Sequence, residues 1–100
     1  MPQYSVRITF RAAAQIQQLS TWWQQNRLSA PGTVATELER AFALLEVNPN
    51  LGARTRNAKL SAVRRIHLPK IHHHVYYRIR GNVVEVVALW HTSRDGVPPV

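Results

Sequence analysis

VRRIHLPKIHHHVYYRIRGNVVEVVALWHTSRD, residues 63–95, decides the fold. It reads as three strands joined by two tight turns. Pro69-Lys70 suits the centre of a type I turn, because the proline ring pre-sets φ at the first central position. Gly81-Asn82 suits a two-residue type II′ hairpin loop, in which glycine supplies the positive φ. With both turns fixed, strict alternation of side chains sets the register. One face collects Ile66, Leu68, Ile71, Val75, Tyr77, Ile79, Val84, Val86, Ala88 and Trp90, with His73 as its one polar intruder. This is the expected core face, and on it truncation of Trp90 is expected to unfold the protein. The other face collects Arg65, His67, His72, His74, Tyr76, Arg78, Arg80, Glu85 and His91, together with Val83, Val87 and Leu89. Arg78 falls opposite Glu85, an opposite-charge pair of the kind that supports a sheet by ~0.2–1 kcal/mol. The last strand, VVEVVALW, is apolar on both faces and so is expected to be central in its sheet.

The preceding chain supplies what must cover the core face. Tyr4 to Phe10 alternates apolar and polar residues, which predicts a half-buried strand. From Arg11 to about Arg27, Ala12, Ile16, Leu19 and Trp23 recur at helical spacing, with Trp22 beside that stripe. Ser29-Ala30-Pro31-Gly32 predicts a turn and Thr33 an N-cap, before a second helix whose stripe is Val34, Leu38, Phe42 and Leu45. Asn48-Pro49-Asn50 stops that helix, and Leu51 to Ala62 reads as a basic loop with neither period. Two amphipathic helices joined by a short turn form a hairpin with one apolar side. The only large apolar surface available to bury it is the sheet. The expected fold is α+β with order β-α-α-β-β-β: a helical hairpin on one face of a mainly antiparallel four-stranded sheet, in one domain spanning residues 1–100.

Charge is the strongest compositional signal. The formal net charge is +8, from 13 Lys and Arg against 5 Asp and Glu. Between Glu46 and Glu85 there is no acid, while Arg54, Arg56, Lys59, Arg64, Arg65, Lys70, Arg78 and Arg80 fall in that interval. Such a field favours an anionic partner, nucleic acid or acidic protein. The absence of cysteine excludes a disulfide framework and thiolate metal sites. No signal-peptide pattern opens the chain, and no apolar run approaches the ~18 residues of a membrane span, so a soluble cytoplasmic protein without membrane partners is expected.

No Ser/His/Asp set, phosphate-cradling glycine loop or carboxylate pair is present. In the register above, His67 faces His72 and His72 faces His91, a row of three imidazoles flanked by Arg65 and Arg94. Such a row can solvate a sheet face, move protons on RNA or bind zinc. Tyr76, Val87 and Leu89, interleaved with the charges, give the same face the character of a partner-protein surface.

These residues resemble a family. A strand, a helical hairpin ending in Asn48-Pro49, a basic loop, then RRIHL, HHVYYRI and VEVVALWHTSRD are similar to the RelE/ParE toxins of bacterial type II toxin–antitoxin pairs. The most specific piece is a hydrophobic strand closing in H-x-x-R-D: His91, Arg94 and Asp95. The resemblance implies a growth-inhibiting toxin, associated with plasmid stabilisation, held in a hetero-oligomer by a cognate antitoxin, with no cofactor or metal. Partner binding would fall to Arg65, His67, His72, Tyr76, Arg78, Val87 and Leu89. ParE-like members act on DNA gyrase, and the H-x-x-R-D ending lies closer to them. RelE-like members cut messenger RNA on the ribosome, and here His91 and Arg94 would be the catalytic pair. The tyrosine or histidine that RelE-like members often carry after that arginine is absent, since only DGVPPV follows Arg94. The expectation is therefore a ParE-like gyrase inhibitor, with the RelE-like endonuclease as the alternative. A stand-alone nucleic-acid-binding module is the third class.

Overall fold

Thr9 begins the first helix for a local reason: its backbone is extended and its hydroxyl accepts the Ala12 N–H, one of the donors that a helix leaves unmatched at its N-terminus. The computed structural model describes residues 3–55, 59–93 and 98. Helix α1 is Phe10–Asn26, and the expected stripe faces inward: Ala12 and Trp23 are buried, with Ile16 and Leu19 packed beside them. Helix α2 is Thr33–Val47, burying Val34, Leu38, Ala41 and Leu45. Its N-cap is Gly32 rather than Thr33. Thr33 already lies inside the helix, and its hydroxyl donates back to the Ala30 carbonyl at 2.9 Å. Among the described residues, no helix is long and apolar enough to cross a membrane.

The strands are β1 (Ser5–Ile8), β2 (Ala53–Arg54), β3 (Arg64–Leu68), β4 (His73–Arg80) and β5 (Val83–His91). They form one sheet in the order β1-β5-β4-β3-β2, with β1 parallel to β5 and the other pairs antiparallel. The sheet thus has five strands where the sequence predicts four. The addition is β2, two residues of the basic loop that pair with β3. Strand β5 lies between β1 and β4, the central place its two-sided apolar sequence requires.

The Gly81-Asn82 hairpin is as predicted: Gly81 has φ 60°, Arg80 pairs with Val83, and Arg78 sits opposite Glu85 with an ion pair at 2.8 Å. The other turn is longer than predicted. Pro69–Ile71 makes a 3₁₀ turn and His72 follows with φ 53°, so the connection takes four residues, and Leu68 pairs with His73 rather than Ile71. A slip of two residues preserves every face and changes every partner. His67 therefore meets His74, not His72.

The second departure reverses faces. Tyr77 pairs with Val86 and Tyr76 with Ala88, leaving Val87 as an extra residue on β5, a β-bulge. The bulge follows directly on Val86, the last β5 residue paired with β1. Beyond it Leu89 turns to the helices, and its N–H finds the Gln15 side-chain oxygen of α1 at 2.8 Å. Ala88 and Trp90 turn to the opposite face, correcting their expected place in the main core.

That opposite face is not bare. Val63, Tyr76, Val87 and Ala88 form a second apolar cluster there, packed against Leu60 and Trp90. The loop expected to be merely basic thus covers part of the sheet. The main core lies on the helix side, where the sequence places it: Leu68, Ile71, Val75, Tyr77, Val84 and Val86 against both helices. Tyr77 also reaches beyond that core. Its hydroxyl donates to the Pro49 carbonyl at 2.7 Å and accepts the Gly52 N–H at 2.8 Å, fixing the chain that leaves α2. Burial raises the Tyr77 pKa, opposed by the Gly52 hydrogen bond and by Arg64.

Candidate functional site

The predicted row of three imidazoles does not form, because the turn slip and the bulge move its members apart. Two histidine groups take its place. On the face away from the helices, His67 and His74 are cross-strand partners with ring centroids 5.1 Å apart. The neighbouring pair on that face is Arg65 and Tyr76, with the guanidinium 3.5 Å from the phenol oxygen. Burial, then Arg65, His67 and His73, lower the His74 pKa. That shift favours the neutral form of the His74 ring. Arg78 continues the patch but is neutralised by Glu85, which also lies 3.8 Å from Arg80.

The second group lies on the helix side, at the end of the sheet. His73 pairs with His91 across β4 and β5, with rings 4.9 Å apart, and His72 lies 6.4 Å from His91. Two ring orientations are set by the backbone. His73 Nδ1 lies 2.6 Å from the Ile71 carbonyl, to which it must donate. His91 Nδ1 accepts the Ser93 backbone N–H at 3.0 Å, so the proton of the neutral ring sits on Nε2. Among the described residues, no group of three His, Cys, Asp or Glu side chains is placed to hold a metal ion, so the zinc reading of the row loses its geometry.

The remaining predicted residues are placed as follows. Arg65, His67 and His72 are exposed and Arg78 is half-buried, which leaves all four reachable. Tyr76, Val87 and Leu89, expected at the surface, are 1%, 4% and 5% exposed. Tyr76 and Val87 lie in the second cluster, whereas Leu89 belongs to the main core because the bulge reverses it. Exposed apolar surface instead comes from Phe10, Leu28 and Val47. His91 is half-buried on the helix side, and Arg94 lies outside the described residues.

Sequence reasoning missed a group on α1. The Arg27 guanidinium sits 5.5 Å from the Trp22 ring centre and 5.8 Å from that of Trp23, a stacking geometry for a cation on indoles. A signal was present, since Arg27 follows Trp23 by four residues, one helical turn.

The chain matches, over residues 6–96, the family model described as ParE toxin of type II toxin-antitoxin system, parDE. No curated protein matches the sequence at a significant level. Among solved structures, a chain described as the chromosomal ParDE TA system from P. aeruginosa superposes with a TM-score of 0.69 at 18% identity, covering 93% of this chain and 100% of that one. At that identity the likeness is one of fold.

Proposed function

Because this chain belongs to the ParE toxin family of type II toxin–antitoxin systems, we propose that it is a cytoplasmic, growth-inhibiting toxin that acts on DNA gyrase and is neutralised in a hetero-oligomer by a cognate antitoxin. Membership of the ParE toxin family supports gyrase rather than messenger RNA as the target. Cleaving RNA requires a proton-transfer group and an arginine for the phosphate on one surface. His91 is on the helix side of the sheet, away from Arg65 and Arg78; Arg27 borders a cavity with it, and Arg94 lies outside the described residues. Arg64 is engaged elsewhere, donating to the Gly52 carbonyl at 2.7 Å.

The test is to induce the toxin in cells and follow transcript ends beside DNA breaks and replication. DNA damage with intact transcripts is expected, and His91→Ala is expected to retain most of the toxicity. Loss of a general acid–base group costs ~10²–10⁴ in rate. Prompt cleavage of translated messages, abolished in a folded His91→Ala variant, would therefore install the RelE-like endonuclease instead.

Antitoxin recognition rests on charge and apolar contact together. Arg65 and His67, with the Glu85-paired Arg78 beside them, form the basic surface on the face away from the helices, and His72 lies on the helix side. The exposed Phe10, Leu28 and Val47 supply apolar area. Tyr76 and Val87 support that basic surface from beneath, whereas Leu89 lies in the main core on the other side. Charge chiefly speeds encounter, and apolar burial slows dissociation. The association rate with the antitoxin is expected to fall about tenfold or more between low and physiological ionic strength. A rate that stays flat across that range would remove charge from the account.

A further inference from the structure

Between the C-terminal half of α1 and the turn into β4 lies a cavity of about 220 Å³ that the proposed function does not use, bordered by Trp22, Trp23, Arg27, His72, His73 and His91. A second recess of about 300 Å³ shares Leu19, His73 and His91 with it. Trp22 and Trp23 line the first recess, and among the described residues no acidic side chain lines either. Together the recesses reach the ~300–1,000 Å³ range of small-molecule sites.

The chemistry of the walls selects the ligand. Arg27 is held over two indoles rather than by a carboxylate, and among the described residues it has no ion-pair partner. Its charge is therefore available to an anion. His91 adds a donor without needing to ionise, because the Ser93 N–H occupies Nδ1 and leaves Nε2–H for a ligand. Trp22, 46% exposed, presents ring surface on which a planar group can stack. A guanidinium fork matches phosphate oxygens, and a phosphate monoester carries a charge near −2 that can satisfy several donors. A nucleobase stacks on an aromatic side chain for ~1–3 kcal/mol.

We propose that this cavity binds a nucleoside monophosphate, with the base against Trp22 and the phosphate on Arg27 and His91. The same chemistry is offered by a free nucleotide and by the 5′-phosphorylated end of a single strand.

The test follows tryptophan fluorescence of the purified full chain during titration with adenosine 5′-monophosphate. A saturable quench is expected, with adenosine and inorganic phosphate each binding at least about tenfold more weakly. Arg27→Gln should weaken the monophosphate about tenfold and leave adenosine unchanged. Trp22→Leu should weaken both. Both side chains lie at the surface, and thermal melts confirm that each variant is folded. Equal affinity for a 5′-phosphorylated oligonucleotide identifies strand ends as the source, and preference for the monophosphate identifies free nucleotide. The absence of a saturable quench at millimolar monophosphate, or an Arg27→Gln isotherm matching the parent, overturns the proposal.

Discussion

Gly52→Ala is expected to lower the melting temperature by about 20 °C or more. A methyl group there would stand 2.5 Å from the Tyr77 hydroxyl oxygen and 2.7 Å from the Arg65 carbonyl oxygen. Neither atom can withdraw cheaply. The hydroxyl is pinned by the Pro49 carbonyl, and the Arg65 carbonyl is part of β3 backbone. Overpacking of this kind costs ~1–3 kcal/mol, and each buried polar group left unpaired adds ~1–3 kcal/mol. A combined loss of about 4 kcal/mol is a large share of the ~5–15 kcal/mol that holds a protein of this size folded. Each kcal/mol moves the midpoint of a chain this short by ~4–8 °C. Tyr77→Phe should fall in the same direction, since it strands the Gly52 N–H and the Pro49 carbonyl. The double variant should not recover to the level of Tyr77→Phe, because the Arg65 carbonyl still meets the new methyl. Circular dichroism melts of the three variants decide the matter. A Gly52→Ala protein melting within a few degrees of the parent would mean that this loop is not packed against Tyr77.

Leu89→Asp is expected to prevent folding, while the adjacent Trp90→Ala is expected to leave a folded and weakened protein. The two side chains point to opposite faces, and the Val87 bulge decides which face is which. Leu89 is 5% exposed in the main core. Removing its side chain costs ~2–5 kcal/mol, and the carboxylate placed there must be neutralised or desolvated at further cost. Trp90 is half-buried against the smaller cluster, so its truncation should cost less than the ~3–5 kcal/mol of a fully buried aromatic. An uninterrupted ladder predicts the reverse order, with Leu89→Asp tolerated and Trp90→Ala unfolded. Soluble expression and melts of the two variants distinguish the registers directly.

The effect sizes differ because the signals behind them do. Where apolar and polar residues alternate, as in Val75, Tyr77 and Ile79 against Tyr76, Arg78 and Arg80, a strand's phase is written in its side chains. The predicted faces of β3 and β4 are the observed ones. The helical stripes are equally legible, because Ala12, Ile16, Leu19 and Trp23 cannot share a face in any other periodicity. The Gly81-Asn82 loop follows from backbone sterics alone, since positive φ at its first central position favours glycine. From such local rules come the two helices, the hairpin, the central place of β5 and the Arg78–Glu85 pair. Motif resemblance then reaches the toxin family.

Three features needed the tertiary structure. The run Val86 to Trp90 is apolar throughout, so it has no alternation from which a missing or extra residue could be noticed. The bulge is set where pairing with β1 ends and Gln15 of α1 takes over the Leu89 N–H. Pro69 is compatible with both a two-residue and a four-residue connection, because each begins with the same fixed φ, and only the pairing of Leu68 with His73 chooses between them. Those two choices moved His67 to His74, His91 to His73, and Leu89 into the core. The place of Leu60 against Val63 and Val87 likewise depends on a chain crossing a face that its own sequence does not specify. Local sequence determines which way a side chain points relative to its neighbours. Which strand it points beside is decided by contacts far along the chain, and here those contacts divided one row of histidines into two groups on opposite sides of the sheet.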